Sequence, residues 1–400
     1  MGHDYDVIVV GAGPGGATSA RLCAEAGLKT LLIEKERIPR YKPCGGCLSL
    51  KTVRLLGFDL SPVLENTVYG VKFSYCFEDS FSIQSTEPMA FLVMRDRFDQ
   101  FLVEKALRTG AEVLEGERVA RVKEKDSWVE VELSRGKGLR CEYLIGADGA
   151  ESIVAKSLSL LPKKVNRTGI GVESEIPFGS TVNFPREDIP RIHLDFGRFP
   201  SGFGWVFPKR EGISVGMGGM FFDEEKNNLR RCFADFVKGL SYIKKGEETR
   251  ALGHFLPAFY EESQRVSRGR VLLVGDAGYL IDPLTGEGIY YAIRSGALAA
   301  GSILQSKEKG PLPGDRYQEA VRVDIFENLK WALFFARFVN RFNKLSYQTL
   351  RHYPELGNLY LQVLEGRETY KGFVDKVKQR VKNFLKGRLS DKIKKAIAAF

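Results

Sequence analysis

The stretch that decides the fold is DYDVIVVGAGPGG, at residues 4–16. Its apolar half predicts a buried strand, and its second half carries the pattern G-x-G-x-x-G at Gly11, Gly13 and Gly16. Gly11 allows a tight turn, Gly13 lets backbone N–H groups approach a pyrophosphate, and Gly16 lets the following helix pack closely on the strand. That helix is predicted by an Ala-rich segment, and its N-terminus has the positive dipole end that suits phosphates.

A second predicted strand covers residues 28–35 and carries Glu34 at its end. A carboxylate at this position accepts hydrogen bonds from a ribose 2′-hydroxyl and repels a 2′-phosphate, which disfavours NADP. Strand, glycines, helix and acid therefore follow the order that an adenine dinucleotide requires. The residues predicted to contact the dinucleotide here are Gly11, Gly13, Pro14, Gly15, Gly16, Ala17, Glu34 and Lys35.

Length and composition restrict the class of protein further. Four hundred residues exceed one simple core and predict two or three lobes. No run of about 18 uncharged apolar residues occurs and the N-terminus leads straight into a strand, so we expect neither a spanning helix nor a signal peptide. Six cysteines in a chain of this length do not make a disulfide scaffold. These features predict a cytoplasmic protein.

The remaining sequence predicts a nucleotide-binding lobe that is interrupted by a second lobe. Helical spacing predicts a helix at about 96–109, and alternation over 111–145 predicts a series of strands. Residues 271–274 are typical of a buried strand, and 288–305 of a helix rich in small residues. The predicted domains are a discontinuous nucleotide-binding domain (1–60, 93–164 and 266–310), an inserted antiparallel-sheet domain (61–92 and 165–265) and a C-terminal helical region (311–400).

Four further sequence signatures accompany the opening motif. One strand ends in G-A-D-G at 146–149, another ends in G-D-A at 275–277, and D-P-L-T-G-E-G at 282–288 begins a helix. M-R-D-R-F at 94–98 stands at the start of the earlier helix. In this order and spacing they resemble the second glutathione-reductase-like group of flavoproteins, which includes aromatic hydroxylases, squalene epoxidase and geranylgeranyl reductases.

This resemblance implies FAD as cofactor and an α/β fold: a Rossmann-type, p-hydroxybenzoate-hydroxylase-like domain with an inserted antiparallel-sheet substrate domain and C-terminal helices. It implies that Asp276 bonds the ribityl chain, that Arg95 contacts the cofactor from the side, and that Asp148 lies near the pyrophosphate. Backbone N–H groups at residues 286–288 would stabilise negative charge on the flavin N1/O2 edge. Alternatively, the two aspartates are simple turn residues. The further cofactor contacts assigned on this basis are Val119, Gly149, Gly275, Pro283, Gly286, Gly288 and Ile289.

Two more segments narrow the resemblance to the geranylgeranyl reductase family. They are Y-K-P-C-G-G-C-L at 41–48 and G-F-G-W-V-F-P at 202–208, the latter followed by G-M-G-G at 216–219. Phe203 stands where the family usually has Tyr, which removes a phenolic hydroxyl, and Cys47 replaces a small residue. The resemblance implies saturation of carbon–carbon double bonds in geranylgeranyl chains.

The residue types suit that reaction. An isolated alkene is not electrophilic, so reduction needs a dry apolar pocket, aromatic faces near developing positive charge and a positioned proton source. Phe203, Trp205 and Phe207 alternate along a strand and therefore share one face. Cys44, beside Gly45, is the candidate for proton delivery or substrate positioning, and both residues are also assigned to flavin contact.

Other interpretations of these residues stay open. An alternating aromatic stripe also occurs in ordinary sheet cores. Cys44 and Cys47 have the spacing of a redox pair, but the thioredoxin-like unit that usually carries it is absent. Zinc would need two further close ligands, and the four histidines are scattered, so we expect no metal.

Two competing functions also remain. F-x-W-x-F-P is a degenerate form of a halogenase signature, which keeps a flavin monooxygenase or halogenase as an alternative, and an electron-transfer dehydrogenase is another. A second nucleotide fold is not evident, because the remaining glycine patterns lie in a strand-like stretch and a charged turn. The electron donor is therefore expected to be external, either reduced ferredoxin or NAD(P)H.

The net charge of +10 is concentrated at the C-terminal end. Residues 371–400 hold ten Lys or Arg and two Asp, giving +8, and the rest of the chain carries only +2. This asymmetry predicts a localised basic surface and argues against a nucleic-acid-binding protein. Apolar residues recur there three or four apart, as in a basic amphipathic helix: Phe373, Val377, Val381, Phe384, Leu385, Leu389, Ile393 and Ile397.

Such a helix either lies on an anionic membrane or docks on the protein with its basic face in solvent. A lipid-like substrate favours the first, which would make the protein peripheral on the inner face of the cell membrane. Residues 329–339 are apolar nearly all round and are predicted to be buried, as a cap on the pocket or a partner surface.

Overall fold

The computed structural model describes residues 2–160, 169–179, 182–199, 202–220, 228–244, 251–308 and 310–388. Their strands are β1 (Tyr5–Val10), β2 (Thr30–Glu34), β3 (Cys47–Ser49), β4 (Leu64–Val68), β5 (Gly70–Tyr75), β6 (Asp79–Gln84), β7 (Ala90–Val93), β8 (Glu112–Glu115), β9 (Val119–Glu124), β10 (Val129–Leu133), β11 (Gly138–Gly146), β12 (Gly169–Pro177), β13 (Arg191–Phe196), β14 (Gly202–Pro208), β15 (Gly212–Gly219), β16 (Leu252–Leu256), β17 (Ser267–Arg268) and β18 (Val271–Leu273).

Their α-helices are α1 (Pro14–Glu25), α2 (Leu50–Leu56), α3 (Arg95–Arg108), α4 (Ile153–Ser157), α5 (Leu229–Lys238), α6 (Ile289–Glu308), α7 (Pro313–Val321), α8 (Glu327–Arg341), α9 (Asn343–His352), α10 (Pro354–Leu364) and α11 (Tyr370–Arg388). A π-helical turn, Arg322–Phe326, joins α7 to α8. The predicted opening strand–helix–strand, the helix near 96–109 and the long small-residue helix are all confirmed.

The first sheet carries the nucleotide-binding lobe. Its parallel strands lie in the order β8–β2–β1–β11–β18, the arrangement of a Rossmann half, and β9 and β10 extend β11 as an antiparallel meander. The central strands are long apolar runs because helices or meander strands cover both faces. α1 packs against α6 so closely that a Cβ on Gly296 would lie 2.5 Å from the carbonyl oxygen of Gly15. Small residues in both helices allow this contact.

The second sheet forms the inserted lobe, in the order β16–β12–β15–β14–β13–β5–β6. It is antiparallel, as predicted, except for β13 and β5, which run parallel. One face packs against α5 through a core that includes Phe233, Phe236 and Val215. The opposite face bears the aromatic residues of β14 and looks toward the first lobe.

A small sheet of β3, β7 and β4 connects the two lobes. Cys47 pairs with Leu92, so the cysteine-containing loop is held beside the strand that leads into α3. Residues 61–92 therefore supply both this small sheet and the edge of the large one.

The C-terminal helices cover one side of the nucleotide-binding lobe. α8 buries Leu329, Ala332, Leu333 and Ala336. Phe334 and Phe338 on the same helix are exposed, so the prediction that residues 329–339 are buried all round is wrong for these two. The helix has neighbours on only part of its circumference.

α11 confirms a helix in the basic segment as far as Arg388. Its first apolar residues dock on the protein, because the ring of Phe373 lies 5.3 Å from that of Phe335 in α8. The side chains of Val381, Phe384 and Leu385, and residues 389–400 with Leu389, Ile393 and Ile397, lie outside the described residues. Among the helices that the structure describes, none combines the length and apolar character needed to cross a membrane.

Candidate active site

The turn from β1 into α1 is built for a close approach of backbone to a ligand. Gly11 has φ +100°, and a Cβ there would lie 2.3 Å from the carbonyl oxygen of Ala147. A Cβ on Gly16 would lie 1.9 Å from the carbonyl oxygen of Gly11, so no side chain fits. α1 begins at Pro14 after Gly13 without a side-chain cap. Its first backbone N–H groups thus suit a phosphate.

Glu34 holds the glycine loop and an arginine that sequence reasoning missed. It is buried, and its Oε2 accepts from the N–H of Ala12 at 2.9 Å and lies 3.2 Å from Nε of Arg40. Arg40 also donates to Asp99 at 2.9 Å and lies 3.9 Å from the Cβ position of Gly13. The guanidinium of Arg40 therefore lies next to the predicted pyrophosphate site. Lys35, by contrast, is exposed beside it.

Arg95 is buried at the start of α3 and fixed by Asp99, to which its Nε and Nη2 donate at 2.9 and 2.8 Å. Burial acts to lower the pKa of Arg95, but Asp99 and the neighbouring Cys44 raise it above its ordinary value. The structure thus brings Arg95 to the Cys44 loop, next to the candidate flavin site.

Asp148 has its carboxylate directed at α4. Its Oδ1 accepts from Ser152 at 2.6 Å, and its Oδ2 accepts from the N–H of Ile153 at 2.7 Å. Burial raises the pKa of Asp148, and these hydrogen bonds act against that increase. The aspartate therefore shapes the turn beside Gly11, and the adjacent Gly149, at φ +80°, has open space around it.

Asp276 lies where the two lobes meet. Its Oδ2 is 3.2 Å from Nζ of Lys42, and 3.7 Å from Nε2 of His254 on β16. Burial would raise its pKa, but Lys42 and His254 more than offset this and hold the pKa below its usual range. The Cβ position of Gly288 lies 3.5 Å from its Oδ1, so the G-D-A turn and the following glycine loop share one site. Gly275, in the same turn, has φ +56°.

The loop at residues 282–288 is held from three sides. Asp282 is buried and accepts from the hydroxyl of Tyr370 in α11 at 2.8 Å. Glu287 pairs with Lys51 of α2 at 2.6 Å and accepts from Ser49 of β3 at 2.5 Å. Between these anchors Gly286 has φ +73° and nothing within 4 Å of its Cβ position, and Ile289 begins α6 in the core. The N–H of Gly286 donates to the carbonyl oxygen of Asp282 at 2.9 Å and closes the turn. The space beside Gly286 is thus open to a ligand, with Pro283 at the start of the loop.

The aromatic residues of β14 and the cysteine loop come together. A Cβ on Gly45 would lie 2.7 Å from the ring of Phe207 and 3.0 Å from Nε1 of Trp205. The ring centroid of Trp205 is 6.0 Å from that of Phe207 and 6.4 Å from that of Phe203. Nε1 of Trp205 is buried without a hydrogen-bond partner among the described residues. These residues form one wall facing the loop.

The glycines opposite this wall have a packing role. A Cβ on Gly216 would lie 2.1 Å from the indole of Trp205, and one on Gly218 would lie 3.6 Å from it. The G-x-G on β15 therefore makes room for the tryptophan.

Cys44 and Cys47 are free thiols in the structure. The N–H of Gly46 donates to Sγ of Cys44 at 3.4 Å. Burial, with Glu287 and Cys44 adding to it, raises the pKa of Cys47 to about 12, so that thiol stays protonated at neutral pH. Among the described residues, no cluster of His, Cys, Asp or Glu has a geometry that could hold a metal ion.

A polar cluster beside the aromatic wall was not predicted. Glu173 and Glu175 on β12 lie opposite Gly216 and Ser214, on the face that carries Trp205. Glu173 accepts from Ser214 at 3.0 Å and from the hydroxyl of Tyr41. The only sequence signal is the alternation of acids two apart within an otherwise apolar strand.

Lys209 completes this cluster. It directly follows the aromatic motif and looks like a surface residue in sequence, but the structure buries it and pairs it with Glu175 at 2.6 Å. Burial raises the pKa of Glu175, and Lys209 acts in the opposite direction.

FAD fits the site that these residues form. The uncapped start of α1, Glu34, Asp276 and the open space beside Gly286 form an extended cradle between the lobes. Val119 is the exception, because its side chain is buried in the core behind the sheet and its strand pairs with β10.

Comparisons with known proteins agree with the fold and with FAD as the cofactor. Residues 4–313 match the family described as FAD binding domain. The chain is 30% identical over 343 residues to the digeranylgeranylglycerophospholipid reductase of Thermoplasma volcanium, covering 81% of this chain and 84% of that protein.

The fold is shared with solved structures. A geranylgeranyl bacteriochlorophyll reductase-like protein from Thermoplasma acidophilum superposes with a TM-score of 0.77 at 25% identity, covering 94% of this chain and 98% of that one. A flavin-dependent brominase gives a TM-score of 0.70 at 18% identity, covering 95% and 99%, which shows the fold alone.

Fold and site define an FAD-dependent oxidoreductase with a p-hydroxybenzoate-hydroxylase-like architecture. Within that class, the chain belongs to the geranylgeranyl reductase family.

Proposed function

We propose that this oxidoreductase saturates carbon–carbon double bonds in geranylgeranyl chains of a lipid or prenyl diphosphate. The observation that carries the proposal is the contact of Gly45 with Trp205 and Phe207, at 2.7–3.0 Å from its Cβ position. It puts the cysteine loop, beside Arg95, against an aromatic wall at the edge of the FAD cradle. A reductase of an isolated alkene needs these components in one place.

The aromatic wall has two roles in this proposal. Phe203, Trp205 and Phe207 exclude water from the reacting bond, and their ring faces stabilise positive charge as it develops on the more substituted carbon. Bound FAD, once reduced, supplies the hydride. Each saturated bond then takes up one hydride and one proton.

Cys44 is proposed to deliver that proton or to position the alkene. Gly45 and Gly46, which follow it, keep side chains away from this part of the loop, and the guanidinium of Arg95 lies next to it. The remaining acids of the site, Glu173 and Glu175, lie beside the wall with Lys209.

The electron donor and the membrane are partners in the same proposal. Reduced ferredoxin or NAD(P)H would reduce the flavin from outside, and the basic C-terminal helix would contact the membrane. The two relatives named above differ in the head group that their names state, so the head group of this substrate is left open.

The proposal is tested with dithionite-reduced holoenzyme and geranylgeranyl lipids under anaerobic conditions. We expect a mass gain of two hydrogens for each saturated bond, detected by mass spectrometry. Cys44→Ser should slow saturation strongly while FAD absorbance is retained, and Cys232→Ser, a change in α5 far from the loop, is the matched control. Oxygen-dependent hydroxylated or halogenated product without saturation would overturn the proposal in favour of a monooxygenase or halogenase.

A further inference from the structure

A row of large apolar side chains on α8 and α9 faces solvent. Phe334, Phe338, Phe342 and Leu345 are 55, 47, 46 and 55% exposed. Phe334 and Phe338 are four apart within α8 and therefore share one side of that helix. Phe342 lies between α8 and α9, with its ring centroid 5.3 Å from that of Phe338. The opposite side of α8 is buried, and Phe335 packs on α11. The row lies on the remaining side of the helix, which is exposed to solvent. Contiguous exposed apolar residues of this kind mark an interaction site.

The charge around this row has one sign. From Asn328 to Pro354 the sequence contains no Asp or Glu and five cations: Lys330, Arg337, Arg341, Lys344 and Arg351. Lys330 and Arg351 form ion pairs with acids from elsewhere, Glu327 and Asp79. Arg337, Arg341 and Lys344 are exposed and form no ion pair with any residue that the structure describes.

We propose that Phe334, Phe338, Phe342 and Leu345, with Arg337, Arg341 and Lys344, form a docking surface for an anionic lipid bilayer. Aromatic and aliphatic side chains on one side of a helix enter the boundary between head groups and acyl chains, and flanking cations attract anionic lipids. A second copy of the chain is a poor occupant, because a two-fold contact would place these cations against each other.

The position of this docking surface relative to the active site gives it a role in substrate entry. A cavity of about 150 Å³ lies directly behind α8, with Leu333 and Arg337 on one side and Met220 and Pro283 on the other. Pro283 begins the loop that forms part of the FAD cradle, and Arg337 belongs to both the cavity and the docking surface. A prenyl chain leaving the bilayer at α8 would therefore reach the flavin loop through this cavity.

The inference deepens the proposed function, on which its substrate class rests, and moves the membrane contact to a different element. Phe373, at the start of the basic helix, is already packed on Phe335, at 5.3 Å between ring centroids. The described apolar residues of α11 are therefore occupied, whereas those of the docking surface are free. The basic face of α11 then adds to the attraction without inserting.

The test is flotation of purified holoenzyme with phosphatidylcholine vesicles that contain a minority of phosphatidylglycerol, compared with vesicles of pure phosphatidylcholine. Wild type should float with the anionic vesicles. Arg337→Gln/Arg341→Gln/Lys344→Gln should lower the partition coefficient about a hundredfold, since each cation near the surface contributes roughly a factor of five. Phe334→Ser/Phe338→Ser should lower it at least about tenfold.

Two leucine-to-serine variants separate the effect of the docking surface from the effect of losing any exposed leucine. Leu345→Ser should weaken flotation, whereas Leu107→Ser, at a site in α3 that is 49% exposed, should leave it unchanged. All variants should keep wild-type FAD absorbance. Flotation of Phe334→Ser/Phe338→Ser equal to wild type would overturn the inference, and so would self-association of wild type through this surface without vesicle binding.

A second readout separates this inference from the proposed function. The reduced Phe334→Ser/Phe338→Ser variant should saturate a geranylgeranyl lipid dispersed in detergent at the wild-type rate, but should lose saturation of the same lipid presented in vesicles. A variant that loses neither rate would overturn the proposed route of the chain. Vesicle binding that depends on the docking surface, with no saturation under any condition, would support the surface and overturn the proposed function.

Discussion

At the scale of single residues, the shape of the candidate site depends on glycines, which have no side chain. Gly45 and Gly216 both lie against the Trp205 ring, and a Cβ on either would lie 3.0 Å or less from it. The tryptophan thus packs on a loop of one lobe and on a strand of the other. Its orientation depends on both glycines.

Gly216→Ala should displace Trp205, because the new Cβ would stand 2.1 Å from its ring. Overpacking of this kind costs about 1–3 kcal/mol of unfolding free energy. We expect a lower Tm and a loss of double-bond saturation with FAD still bound, measured by thermal unfolding, product mass and flavin absorbance.

Gly253→Ala is the matched control for this change. Gly253 lies on β16, two strands away in the same sheet, where the nearest atom to its Cβ position is 3.8 Å away, so Tm and saturation should stay near wild type. Adding Trp205→Phe to Gly216→Ala should restore part of the lost stability, since the smaller ring leaves space. An unchanged Tm in Gly216→Ala would contradict the tight packing described here.

At the scale of secondary-structure elements, the sequence predicts the parts whose partners are close in the chain. The opening strand, helix and second strand form one unit between Tyr5 and Glu34, and apolar runs mark β1, β2 and β18 because both faces of a parallel sheet are covered. The helix predicted near 96–109 matches α3 for the same reason: its apolar spacing is local.

Elements whose surroundings come from distant segments are predicted less well. Lys209 is buried only because β12 brings Glu175 across β15, which periodicity along one strand does not reveal. Arg40 belongs to no motif, yet Glu34 and Asp99 position it at the glycine loop. α8 is apolar nearly all round. The exposure of Phe334 depends on how many helices pack against α8, and the sequence of α8 alone does not predict that number.

The loop at residues 282–288 depends on α11, an element that sequence motifs alone do not connect with it. Tyr370→Phe would remove the hydroxyl that donates to buried Asp282 at 2.8 Å. The loss of one hydrogen-bond partner from a buried acceptor lowers the free energy of unfolding by about 1–3 kcal/mol. We expect a modest loss of stability and weaker FAD binding, by about tenfold, measured by titrating apoprotein with FAD and following flavin fluorescence.

A matched tyrosine separates the loop effect from general destabilisation. The hydroxyl of Tyr347 donates to the backbone carbonyl of Asp79 at 2.8 Å, at the far edge of the second sheet. Tyr347→Phe should lower stability by a similar amount and leave FAD affinity unchanged. Equal FAD affinity in both variants would mean that α11 does not support the flavin loop.

At the scale of the whole molecule, the lobes meet through charge as well as aromatic packing. Asp276 ends a strand of the first sheet, His254 lies on β16 of the second, and Lys42 stands on the loop between the lobes. Their contacts tie the relative position of the lobes to the ionisation of one carboxylate. The junction is therefore expected to respond to acid.

The direction of that response follows from the pKa of Asp276, which its partners hold below the usual range in the folded protein despite burial. A carboxyl with a lowered folded pKa stabilises the fold fully above its ordinary pKa, about 3.9, and this contribution is lost as the pH falls through that value toward the folded one. Lys42→Met removes a charge that offsets burial, and should cost about 2 kcal/mol at pH 7.

The difference in Tm between wild type and Lys42→Met should accordingly shrink as the pH falls below about 3.9 toward the lower folded pKa of Asp276, because a protonated Asp276 has no need of the lysine. Lys307→Met is the control: it breaks a pair with Asp6, whose pKa is also lowered in the folded state, at the opposite end of the first sheet. Both variants should show the pH-dependent loss, but only Lys42→Met should weaken FAD binding. A Tm difference for Lys42→Met that stays constant with pH would show that Asp276 is not the group through which Lys42 stabilises the lobe junction.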